Sequence, residues 1–121
     1  MKIHWLSEPE DHDLPAAEDY LSLVLYPEDV ATVVSEFEDF TAEPREFKAR
    51  DILRASGLPF LGRGDRHVTK DFDKISRGIE LSPLLLVLAH DRLHIADGYH
   101  RLCAVYSVDE DAEIPCKIVY L

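Results

Sequence analysis

Leu84-Leu85-Leu86-Val87-Leu88-Ala89-His90-Asp91-Arg92-Leu93-His94-Ile95-Ala96-Asp97-Gly98-Tyr99-His100-Arg101 is the stretch on which the fold turns. Residues 84–89 form an apolar run of strand length, the polar break at His90-Asp91-Arg92 reverses the chain, and residues 93–96 read as a second strand. A hairpin is therefore expected. After Asp97-Gly98, residues 99–107 lack Gly and Pro and place Tyr99, Leu102, Cys103 and Tyr106 on one face at helical spacing. A strand feeding a helix through an Asp-Gly turn points the unpaired first-turn N–H groups, and the positive end of the helix dipole, past the strand end. That geometry suits an anion, and His100 and Arg101 stand just inside it.

Working outward, the 121 residues are 46% hydrophobic, enough for one core and too few for two. No run reaches the roughly 18 apolar residues of a membrane span, and residues 1–5 lack a signal peptide's apolar stretch, so a cytoplasmic location is expected. Cys103 falls on the inward helix face and Cys116 in the last strand, without metal-ligand spacing, and both read as buried thiols. The net charge of −11 is unevenly spread. Residues 1–44 hold one basic residue against twelve acidic, 45–107 hold eleven against eight, and 108–121 hold one against four. The overall field argues against direct DNA binding, while the middle segment can attract a small polyanion such as a nucleotide.

In chain order, residues 8–19 read as an acidic loop broken by Pro9 and Pro15, and 20–26 as a strand with Leu21, Leu23 and Leu25 on one side. Pro27 opens a helix with the stripe Val30, Val33, Val34 and Phe37, ending near Phe40. Its outer face, with Glu36, Glu38 and Asp39, is either solvated or a docking face for a basic protein partner. Residues 44–49 suggest a short strand, 50–56 a helix closed by Gly57, and 58–61 a buried connection. The loop 62–67 leads to a helix over 69–77 with Val68, Phe72, Ile75 and Ile79 on its apolar side, stopped by Gly78. Residues 114–120 close the chain as a strand, with Pro115 at its start. The element order indicates a single α+β domain, 1–121, with helices packed on a mixed, curved sheet.

Candidate chemistry concentrates at two places. Arg63, Arg66, His67 and Lys70 surround the glycine-containing loop, a pattern that serves phosphate binding but matches neither a Walker loop nor a dinucleotide fingerprint; a solvated loop with Arg66 in an ion pair explains it equally. At 97–101, Asp97 is either the helix N-cap or a functional carboxylate, as Mg²⁺ ligand or general base. His100 either bonds neighbouring backbone or serves as a donor beside the anion, and Arg101 either forms an ion pair or clamps phosphate. His90 and His94 imitate zinc-protease spacing, but a hairpin does not bring them onto one helix face. Ser56, Ser76, Ser82 and Ser107 have no discernible base.

With these residues in view, residues 68–119 resemble the ParB/sulfiredoxin superfamily: a helix, a strand after Leu81-Ser82-Pro83, a hairpin, a Gly-x-x-Arg-x-x-Ala helix start filled by Gly98, Arg101 and Ala104, and a closing strand. The resemblance implies that the helix start holds nucleotide phosphates through Gly98, Tyr99, His100 and Arg101. It implies ATP, ADP or CTP as ligand, with Mg²⁺ on Asp97, and phosphotransferase or NTPase chemistry. Within the family, Tyr99 replaces both the reactive cysteine of sulfiredoxins and the metal-binding glutamate of ParB proteins, and no helix-turn-helix follows. Asp97-Gly98-Tyr99-His100-Arg101 is most similar to the Asp-Gly-His-His-Arg of the free-serine kinases, which implies a role for Asp97 in phosphoryl transfer; His100 is the second catalytic candidate, as a donor beside the anion. The competing reading is a non-catalytic interaction module that uses its acidic N-terminal half.

Overall fold

The apolar run and its hairpin lie within a four-stranded sheet. The computed structural model describes residues 1–39 and 44–121, in the order α1 (Asp13–Leu21), α2 (Pro27–Glu38), β1 (Arg45–Lys48), α3 (Ala49–Ser56), α4 (Arg66–Ser76), β2 (Leu84–Ala89), β3 (Arg92–Asp97), α5 (Tyr99–Val108) and β4 (Glu113–Tyr120). The strands are ordered β1-β4-β2-β3, with β2 parallel to β4 and the other neighbours antiparallel. This is a small mixed-sheet α+β domain. The β2–β3 connection is a two-residue turn in which His90 and Asp91 both take positive φ (54° and 61°), a conformation His and Asp tolerate better than most residues and one whose twist suits a tight hairpin.

Alternation along β2 sends its apolar side chains to both faces. Leu85, Val87 and Ala89 pack with Ala17, Leu21, Val30, Val33 and Phe37 of α1 and α2, whereas Leu84 and Leu86 pack with Ile52, Val68, Leu102 and Cys103 from α3, α4 and α5. β2 is thus buried on both sides, which explains its unbroken apolar sequence. Each fully buried leucine contributes about 1.5–3 kcal/mol, so the two clusters hold helices against both faces. Pro115 lies opposite Glu46, one residue ahead of the β2 ladder, which begins at Cys116. Gly57 closes α3 with φ 70°, the left-handed cap that glycine adopts without steric cost.

The N-terminal third corrects the sequence reading. Residues 13–21 are helical rather than loop, and 20–26 are not a strand. Pro15 sits in the first turn of α1, where its missing N–H costs no helical bond. Leu21 and Leu25 are buried at i,i+4 spacing, while Leu23 is 86% exposed, so the alternation was accidental. The connection 58–61 is also not buried: Leu58 and Phe60 are 40% and 45% exposed, with Phe60 lying against Tyr106 at 5.0 Å between ring centroids. In α2, Val30, Val33 and Phe37 are buried and Val34 partly so; the expected helix end at Phe40 lies outside the described residues. Ile79 follows the end of α4 beyond Gly78 and is exposed.

Candidate functional site

β3 enters α5 at Gly98. That residue has φ 109°, which side-chain-bearing residues rarely adopt, and a Cβ there would overlap the Leu84 side chain and lie 2.8 Å from Arg101 Nη2. Gly98 is the N-cap of α5 and supplies no side chain to its first-turn N–H groups. Asp97 is therefore not the cap. Its Oδ2 lies 3.4 Å from Arg101 Nη2, and the same nitrogen donates to the Pro83 carbonyl at 3.1 Å. The Arg101 guanidinium is folded inward over Gly98 and ties the β3–α5 junction to the segment entering β2. Its Nε is buried without a hydrogen-bond partner among the described residues.

Asp97 has a second acidic neighbour. Asp13, in the first turn of α1 and 1% exposed, hydrogen-bonds it; Asp13 Oδ2 also accepts from the Glu10 N–H at 2.9 Å, and Oδ1 lies 3.3 Å from His12 Nε2. Burial pushes the Asp97 carboxyl up, Arg101 opposes this and Asp13 adds to it, leaving it at about 6. Asp97 thus changes charge just below neutral pH. Asp13 belongs to a stretch whose sequence gave no sign of contact with residue 97. The signal available was local: an acidic residue and a proline both suit the first turn of a helix.

Across the junction, α4 packs against α5. Asp65 caps α4, its Oδ1 accepting from the N–H groups of His67 (2.8 Å) and Val68 (3.1 Å), and the Val68 bond is foremost in holding its carboxyl below the usual range. The same oxygen is 4.0 Å from His100 Nε2, and the His67 and His100 rings lie 4.9 Å apart. Two segments separated by more than 30 residues thus deliver His67 and His100 to one place. Tyr99 lies against His100, at 5.5 Å between centroids, and its hydroxyl donates to the Pro59 carbonyl. Asp71 is half-buried; desolvation raises its carboxyl, while Arg101 and then Lys74, His100 and Lys70 oppose the rise.

The remaining basic candidates separate. Arg63 stacks on Phe72 with its guanidinium carbon 3.7 Å from the ring centroid, while Arg66 and Lys70 are exposed on α4 and form no ion pair among the described residues. Burial raises both thiols, Cys116 to about 12, and Cys103 Sγ accepts from the Leu61 N–H at 3.5 Å. Neither is placed for thiolate chemistry. Asp97 is already engaged by a guanidinium and a second carboxyl, a donor set better matched to a proton than to Mg²⁺, and no group of three potential metal ligands occurs among the described residues. No described helix is long and apolar enough to cross a membrane. Comparison with family models, curated proteins and solved structures returned no match.

Proposed function

We propose that the chain binds the phosphates of a nucleotide, ATP, ADP or CTP, at the open start of α5, as a ParB/sulfiredoxin-like protein of the cytoplasm. The observation that carries this reading is that the first turn of α5 has no side-chain cap while the His67 and His100 imidazoles meet beside it. The N–H groups of Tyr99 and His100 are the donors. Arg66 and Lys70 on α4 add positive potential nearby. Arg101 acts here as a positioning residue: its contacts with Pro83 and Asp97 hold the helix start in place. The resemblance of residues 68–119 to the superfamily supports the same assignment.

Asp97 gives the site a general base whose protonation changes near neutral pH, the property needed to take a proton from an attacking hydroxyl or water. Phosphoryl transfer or nucleotide hydrolysis is the chemistry this allows, with His100 as proton donor beside the phosphate. Calorimetric titration with ATP, ADP and CTP, with and without Mg²⁺, tests the reading. Wild type is expected to bind at least one below millimolar Kd, and His100→Ala to weaken binding roughly tenfold or more, the cost of a lost hydrogen bond to a charged group. Binding of none of the three would remove the basis for the assignment.

A further inference from the structure

The turn between α1 and α2 presents apolar side chains that the core does not use. Leu23 (86% exposed), Tyr26 (73%) and Val24 stand out from it, while Leu21 and Leu25 face inward. Beside them lies a cavity of about 210 Å³ lined by Glu18, Ser22, Leu25, Pro27, Val30 and Ala31. Ser22 and Leu25 belong to the turn itself, so the protruding side chains border the cavity. The surface is also preformed: the Leu23 N–H donates to the Tyr20 carbonyl at 3.0 Å, and those of Val24 and Leu25 to the Leu21 carbonyl at 3.0 and 2.8 Å. An apolar notch held ready beside large exposed side chains suits one inserted anchor, desolvated in the notch and covered by its rim.

The charge around the notch says what fits it. Glu18 lines it, Asp19 adjoins Glu18, and Glu28 and Asp29 follow Pro27 at the start of α2. None of these four carboxylates forms an ion pair among the described residues, and residues 3–44 contain no Lys or Arg. The helix dipole accounts for Glu28 and Asp29 but not for the absence of every cation. Anionic lipid and nucleic acid are repelled by such a rim, whereas Lys and Arg side chains are complementary to it.

We infer that the α1–α2 turn is a docking surface for a cationic amphipathic segment of another protein. An apolar side chain of that segment enters the notch between Leu25 and Val30 and packs against Leu23 and Tyr26, while its Lys and Arg side chains meet Glu18, Asp19, Glu28 and Asp29. The apolar contact supplies affinity, and the carboxylates speed and orient the encounter.

Fluorescence anisotropy of a labelled Leu/Lys peptide, patterned as an amphipathic helix and titrated with the full chain, tests this. Binding is expected below about 100 µM Kd, in the range of transient interfaces, and at least about tenfold tighter than for the same peptide with serine in place of leucine, which keeps the charge and loses the anchors. Leu23→Ser/Tyr26→Ser should weaken binding at least about tenfold while moving the melting temperature by no more than about 3 °C, because both side chains are exposed. Glu18→Gln/Glu28→Gln should weaken it about tenfold and flatten its salt dependence. Glu36→Gln/Glu38→Gln removes the same charge about 12 Å further along α2 and should change it less than about twofold. No binding at millimolar peptide, equal binding of the serine peptide, an unaffected Leu23→Ser/Tyr26→Ser variant or equal losses in the two Glu→Gln variants overturns the inference. So does a wild-type sedimentation mass that rises above 13.8 kDa and returns to it in Leu23→Ser/Tyr26→Ser, since a second copy then covers the turn.

Discussion

Two helix starts lie side by side in this molecule and solve the same physical problem differently. α4 begins at Asp65, whose carboxylate satisfies the His67 and Val68 N–H groups; α5 begins at Gly98, which offers its N–H groups nothing. A side-chain cap such as that of α4 is the exception among the described helices, since α1, α2 and α3 lack one too; α5 stands apart by its glycine cap position and the imidazoles beside it. At α5 the carboxylate that could have done so, Asp97, is drawn instead toward Arg101 and Asp13, and a glycine with strained-for-others geometry takes the cap position. The difference separates two uses of one element: α4 meets its own electrostatic demand with a carboxylate, while the first turn of α5 has no side-chain acceptor.

The largest effect is expected at Gly98. Gly98→Ala would impose a left-handed alanine and force its Cβ into Leu84 and Arg101, so a loss of about 3 kcal/mol or more is expected in urea denaturation. The equivalent change at Gly64, in the loop before α4 and with open space around its Cα, should cost far less. A similar small cost at both positions would show that the α5 start is not rigidly built.

The second effect is one of pH. The Asp97 carboxyl is raised in the folded state, so between roughly pH 4 and pH 6 the folded chain binds more protons than the unfolded one, and stability from this group falls as pH rises. The penalty is absent below the unfolded value and complete above about 6. A shift of roughly two units, discounted for partial exposure, corresponds to about 2 kcal/mol. Asp97→Asn should therefore remove that much downward slope from the difference between the two proteins' stability curves over pH 4–7. Parallel curves would mean that the Asp97 carboxyl has the same proton affinity in the folded and unfolded states.

The smallest effect sharpens the comparison from the other side. Asp65→Ala removes the cap of α4 and should lower the melting temperature by about 3–6 °C, the usual consequence of losing an N-cap in a domain of this size. It should leave anion affinity unchanged or slightly raised, since it takes a carboxylate away from His100. A strong gain in anion binding would place the anion at the freed start of α4 instead.

The hairpin, α5 and β4 were legible because their apolar periods were long and their turn residues unambiguous. β1 and α3 were legible because Gly57 marked an end. α1 was not, because its short amphipathic pattern is hidden among acidic residues and Pro15 reads as a breaker although it stands in a first turn. At the site, Asp97, Gly98, His67 and His100 could be named from sequence, and their mutual placement could not. The inward fold of Arg101 and its partner Pro83 depend on the packing of α5 against the start of β2, and the Asp13–Asp97 contact spans 84 positions in the chain. Asp65 was legible in principle, as an aspartate just before a helix, yet the basic residues around it drew the reading elsewhere.

The proposed phosphate site is the open start of α5. Its most direct measurement is a titration of ¹⁵N-labelled protein with ATP, followed by the backbone amide resonances, with pyrophosphate in parallel to isolate the phosphate contribution. The account predicts that the largest shifts, shared by both ligands, fall on the amides of Tyr99, His100 and Arg101, while those of His67 and Val68, already bonded to Asp65, move little. Saturable shifts centred on α4 instead, or none along α5 at millimolar ligand, would contradict it.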